Sequence, residues 1–147
     1  MKAENFTTSI LVDQTAKEVF DAINNVRGWW QGEITGNADR VGDEFDYRML
    51  DIHYSRQKVA ELVPNKKVVW NVTDSQLSSF TDKNEWTGTQ LVFEIRELDG
   101  KTQLQFTHHG LVPEFECYGS CSGGWSALIN QSLLSLITTG KGVNVFG

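Results

Sequence analysis

The chain has 147 residues, of which 39% are hydrophobic and 22% charged, and its formal net charge is −6 at pH 7. That length suits one domain with a core of its own, without disulfide or metal staples, and the composition excludes disordered and fibrous classes. The acids are scattered and no run of lysine or arginine offers a surface that would neutralise phosphates, so nucleic acid is not an expected partner.

Ser9–Val12, following Phe6–Thr8, reads as a first strand, and Asp13–Thr15 supplies a capping residue for a helix beginning near Ala16. Val19, Phe20 and Ile23 form the apolar side of that helix, with Lys17, Glu18 and Asp21 on the other. Gly28 is expected to end the region, Trp29 and Trp30 add bulk, and the glycine-containing stretch Gly32–Gly42 reads as loop. Phe45, Tyr47 and Met49 alternate with polar residues, the period-two mark of a strand with one buried face. Asp51–His53 is expected to turn the chain into a second strand running through Val59 to Val63. Pro64 and Asn65 then separate it from a third, Lys67–Val72, to make an antiparallel meander.

Thr73–Glu85 has the composition of a polar loop and reads as a flap, with Leu77 and Phe80 able to tuck beneath it. Gln90–Leu98 and Thr102–His109 flank Asp99-Gly100, a strong hairpin signal because both turn positions suit positive φ. Leu91, Phe93 and Ile95 on one strand share a sheet face with Leu104, Phe106 and His108 on the other. From Trp125, the spacing of Leu128, Ile129, Leu133, Leu136 and Ile137 predicts a long helix that Gly140 ends.

These elements predict an α+β fold over residues 1–147 as a single domain, a curved antiparallel sheet wrapped around a long C-terminal helix. A sheet curled around a helix leaves room for a ligand. Phe45, Tyr47, Trp70, Phe93, Phe106, His108, Trp125 and Ile129 are the expected lining of that space. Gly28-Trp29-Trp30, Val41–Phe45, Lys67–Trp70, Phe106–His108 with Gly110–Pro113, Glu116–Tyr118, Gly124-Trp125 and Thr139–Gly142 occur in an order that carries a resemblance along nearly the whole chain. The sequence resembles the activator of heat-shock-protein-90 ATPase homologue (Aha-type) family, within the START and polyketide-cyclase superfamily. The resemblance implies a helix-grip fold, the same architecture that the periodicity predicts. It carries no general catalytic signature to transfer, so the site residues rest on the reading above.

Three functions follow as expectations. The first is enclosure of a small hydrophobic molecule, with His108 and Tyr47 fixing its polar end. The second, implied by the resemblance, is a chaperone-ATPase-activator-like interaction. The third is a cyclase- or hydrolase-type enzyme using His108 as acid or base. A catalytic pairing is hard to find, since Asp51 and His53 are explained by a turn and neither Ser120 nor Ser122 has an identifiable base. No cofactor is expected. His108, His109, Cys117 and Cys121 are metal-ligand types in a weak pattern, because adjacent strand residues point to opposite faces. Cys117 and Cys121 read as reduced thiols, and a bridge across four residues would constrain little. Trp86, after the polar flap, is a candidate for the pocket mouth or a partner surface. Met1–Phe6 lacks the pattern of a secretory signal and no apolar run could span a bilayer, so a cytoplasmic location without membrane insertion is expected.

Overall fold

A computed structural model describes residues 5–30, 32–49, 53–77, 86–112 and 118–143, without the side chains of Leu77 and Ser120. Strands β1 (Phe6–Val12), β2 (Glu33–Gly36), β3 (Glu44–Met49), β4 (His53–Val63), β5 (Lys67–Leu77), β6 (Gln90–Leu98) and β7 (Lys101–His109) form one sheet. Their order is β1-β7-β6-β5-β4-β3-β2, and every pair is antiparallel. Helices α1 (Ala16–Asn24) and α2 (Val26–Trp29) follow β1. The chain closes with α3 (Tyr118–Ala127), a π-helical stretch (Leu128–Leu133) and α4 (Leu134–Thr139), which succeed one another without a break. The architecture is α+β, a curved antiparallel sheet gripping the C-terminal helix. Among the described residues no helix is long and apolar enough to cross a membrane.

Local chemistry accounts for the elements. Thr15 caps α1, its hydroxyl accepting from the Glu18 amide, while Val19, Ala22 and Ile23 bury their side chains against the sheet. Thr15→Ala should lower stability by about 1 kcal/mol in urea unfolding, the usual cost of a lost N-cap. At the β6–β7 hairpin Asp99 and Gly100 both hold positive φ, 50° and 82°, as a tight two-residue turn requires. That turn pairs Leu91 with His108, Phe93 with Phe106 and Ile95 with Leu104, and all six side chains are buried.

Several boundaries differ from expectation. Gly32–Gly42 contains the strand β2, whose single apolar residue gives no period to read and which is held by pairing with β3. Gly28 lies inside α2 rather than ending the helical region. β4 begins at His53 and β5 continues to Leu77, so Thr73–Leu77 is strand where polar composition suggests loop; pairing along β4 overrides the local preference. β-Bulges between Arg56 and Gln57 and between Val59 and Glu61 bend this long hairpin. β5 pairs with β6 over Lys67–Asn71, and Val72 goes on to exchange main-chain hydrogen bonds with Thr89 and Gly88, just ahead of β6. The C-terminal helix starts at Tyr118, ahead of Trp125, because its first turns are rich in glycine and serine and carry no apolar stripe. In its π-helical centre Leu128, Ile129, Ser132 and Leu133 are all buried. On the outer sheet face Val69 and Val92 pair and are only 5% and 6% exposed. The expected tuck of Phe80 and the Asp51-Ile52 turn lie outside the described residues.

Candidate functional site

All eight residues expected to line the ligand space converge between the sheet and the C-terminal helix, and none is more than 3% exposed. The strand period directs Phe45, Tyr47, Trp70, Phe93, Phe106 and His108 inward, and the helix supplies Trp125 and Ile129. Their rings pack on one another. Ring centroids lie 4.9 Å apart for Phe45 and Trp70, 4.9 Å for Trp70 and Phe93, 5.0 Å for Phe93 and Phe106, and 4.6 Å for Phe106 and Trp125. Trp30 from the end of α2 stacks on Tyr47 at 4.3 Å and tilts on Trp125 at 5.1 Å. At these positions the space expected for a ligand is thus occupied by the side chains themselves.

His108 is fully enclosed and both ring nitrogens have protein partners. The Trp125 indole N–H donates to Nδ1 at 3.0 Å, and Nε2 lies 2.8 Å from the Thr89 hydroxyl, which itself donates to the Trp86 carbonyl. Indole nitrogen can only donate and the threonine proton is committed to the carbonyl, so the partners fix the neutral tautomer with hydrogen on Nε2. Burial pushes the His108 pKa down to about 3. The imidazole therefore works as a girder between strand, helix and the Trp86 turn, with no lone pair or proton left over for a ligand or for acid–base chemistry in this arrangement.

The inner face of β4 carries what sequence reasoning missed. His53, Ser55, Gln57 and Val59 alternate inward, and Ser55 and Gln57 are completely buried opposite Tyr47 and Phe45 of β3. The Gln57 amide nitrogen donates to the Ser55 hydroxyl, while Gln57 Oε1 is buried with no partner among the described residues. Whichever way that amide is turned, one end stays unpaired. The Trp70 indole nitrogen and His53 Nε2 are likewise buried and, among the described residues, unpartnered. The His53 ring sits edge-on to Trp86 at 4.6 Å and to Tyr47 at 5.2 Å, and burial lowers its pKa to about 4. Burial also raises the Tyr47 pKa. The signal was present in the sequence as the phase of His53-x-Ser55-x-Gln57, the polar half of a period-two pattern that becomes informative once β4 is known to start at His53.

Residues 13–137 match the family described as Activator of Hsp90 ATPase homolog 1-like protein. The chain belongs to that family. Solved structures carry the same fold at low identity. The Aha1 dimer from Colwellia psychrerythraea superposes with a TM-score of 0.76 at 23% identity, covering 95% of this chain and 99% of that one. The Mll3558 protein from Rhizobium loti gives 0.71 at 16%, over 92% and 97% of the two chains. CalU16 from Micromonospora echinospora gives 0.63 at 16%, over 94% and 78%. No curated protein matches the sequence.

In this member of the activator-homologue family, surface recesses formed by the described residues lie away from the aromatic centre. One, of about 390 Å³, runs between α1–α2 and β2 and touches the centre only at Phe45. Another, of about 710 Å³, lies beside the start of β6 and is lined by Asn71, Thr73, Thr87, Thr89, Gln90 and His109. His109 faces outward on the strand that sends His108 inward, and no group of three or more His, Cys, Asp or Glu is disposed to hold a metal among the described residues. The Trp86 indole donates to Cys121 Sγ at 3.3 Å, and Trp86 stacks on Trp125 at 5.6 Å, so Trp86 belongs to the core rather than to an exposed rim. Ser122 donates to the Gly119 carbonyl. Cys117 lies outside the described residues.

Proposed function

We propose that this domain binds a small, neutral, largely apolar molecule between the concave sheet face and the C-terminal helix, with Gln57, Trp70 and His53 giving the polar contacts. The observation that carries the reading is the set of three unpartnered polar atoms in an aromatic core: Gln57 Oε1, Trp70 Nε1 and His53 Nε2. A buried polar group without a partner costs about 1–3 kcal/mol, so a ligand that parts the rings and satisfies these atoms recovers part of the cost of moving them. Among the described residues the fully buried polar side chains are all uncharged, and the depressed histidine and raised tyrosine pKa values keep those rings neutral at pH 7. Among the described residues a charged ligand would find no counter-ion there. His108 takes the role of a positioning residue that holds Trp86 and Trp125 as the walls. Membership of a family whose fold typically holds hydrophobic ligands supports the same reading.

Native mass spectrometry of the purified protein should show a retained small molecule or take one up from a panel of neutral aryl alcohols. Gln57→Leu should weaken that uptake about tenfold while leaving stability within about 1 kcal/mol, because it removes an unpaired polar end from the core. Uptake equal to wild type in Gln57→Leu would remove Gln57 from the site.

Family membership also favours a second reading, modulation of a chaperone ATPase. Excess protein should then change the ATP turnover of the Hsp90-type chaperone, and unchanged turnover counts against it.

A further inference from the structure

β2 is an outer strand of the sheet, and its free edge is plugged by one side chain. The Asn37 amide donates to the Glu44 carbonyl across β2–β3, which places the narrow pairs at Thr35–Asp46 and Glu33–Arg48 and turns the main-chain groups of Ile34 and Gly36 away from β3. Arg27, in α2, crosses to this edge. Its Nη2 donates to the Ile34 carbonyl at 3.3 Å and the Gly36 carbonyl at 2.8 Å, the two acceptors that an added strand would use. Arg27 is exposed, and among the described residues no carboxylate lies within ion-pairing distance of it, so only these two carbonyls hold it in place. The recess of about 390 Å³ runs along the same edge, walled by Asp21 and Asn25 on the helical side and by Asp39 beyond the strand.

From this juxtaposition we propose that the β2 edge is a docking site for an extended, basic peptide segment of another protein, which pairs with Ile34 and Gly36 and displaces Arg27. Strand addition draws its affinity from main-chain hydrogen bonds, and an edge whose acceptors are held by a removable guanidinium is kept from indiscriminate pairing yet remains available. Charge selects the partner. Asp39 and Asp21, the latter paired with Lys17, line the recess and the whole chain carries −6, which attracts a basic segment and repels a second copy of this chain.

The test is fluorescence anisotropy with a labelled alternating lysine–valine peptide of about eight residues, longer than β2 at about 3.3 Å per residue. The wild-type protein should bind it, and Arg27→Ala should bind about tenfold more tightly because two charged-donor hydrogen bonds no longer compete. The same peptide with N-methylated backbone amides, equal in charge, should lose binding. Equal affinity for the two peptides would show attraction by charge alone and overturn strand addition, as would weaker binding by Arg27→Ala. Dimerisation of Arg27→Ala in the absence of peptide would assign the edge to a second copy instead and overturn the choice of partner.

Discussion

Replacing Trp70 by alanine should be among the most damaging single changes in this chain, lowering stability by about 3–5 kcal/mol. Trp70 has no exposed surface and sits at the crossing of the aromatic layers, parallel to Trp29 and Trp30 at 6.5 and 6.4 Å and edge-on to Phe45 and Phe93, both at 4.9 Å. Truncation leaves a cavity bounded by rigid rings that cannot collapse to fill it, so both the transfer and the cavity costs apply. At about 2–4 °C per kcal/mol for a chain of this size, the melting temperature should fall by roughly 10–15 °C. Trp70→Phe should cost much less, since it keeps ring contacts and removes an indole N–H that has no partner. Thermal unfolding of both variants decides the matter, and an alanine variant within 1 kcal/mol of wild type, on the order of ordinary surface changes, would displace Trp70 from the centre of the core.

The second large effect is acid sensitivity. His108 and His53 have folded pKa values near 3 and 4, pushed below the ordinary 6.5 by burial. The unfolded chain therefore takes up these protons first. The stability they contribute is complete above about pH 6.5 and declines as the pH falls towards the folded values. Between pH 6.5 and about 4.5, His108 alone accounts for a loss of about 2 kcal/mol, and His53 acts in the same direction. His108→Gln can still accept from Trp125 and donate to Thr89 without titrating. Its urea-unfolding stability should therefore fall less than that of the wild type between about pH 6.5 and 4.5, by about 2 kcal/mol. Parallel curves for the two proteins would mean that His108 is not held neutral by the fold.

The sequence was most legible where the local pattern and the tertiary environment agree. Asp99-Gly100 set the β6–β7 register, and with it the inward row that includes Phe106 and His108, because a two-residue turn admits one alignment. Thr15 and the Val19–Ile23 spacing located α1 for a similar reason. β2 and the polar half of β5 were not legible, since Glu33–Gly36 and Thr73–Leu77 are strands only by virtue of the strands they pair with. For the site, period two placed six strand residues at one centre, and helical spacing added Trp125 and Ile129. It could not say whether large rings facing one another enclose space or fill it, which depends on side-chain volumes in three dimensions. Nor could it show that Thr89 and Trp125 would occupy both nitrogens of His108, because those partners come from distant segments. The polar row of β4 was hidden by placing a turn at His53.

The central claim is that the unpartnered polar atoms of the aromatic core mark a ligand site, and the indole N–H resonances of the protein report on it directly. The Trp29 indole donates to the Ile23 carbonyl at 3.1 Å and the Trp125 indole to His108, whereas the Trp70 indole has no acceptor. In a nitrogen–proton correlation spectrum titrated with a neutral aryl alcohol, the Trp70 signal should move downfield as it gains an acceptor. The Trp29 signal should stay in place, and Gln57→Leu should weaken the response. A Trp70 signal that remains fixed while the probe saturates the protein would place binding elsewhere and contradict the account.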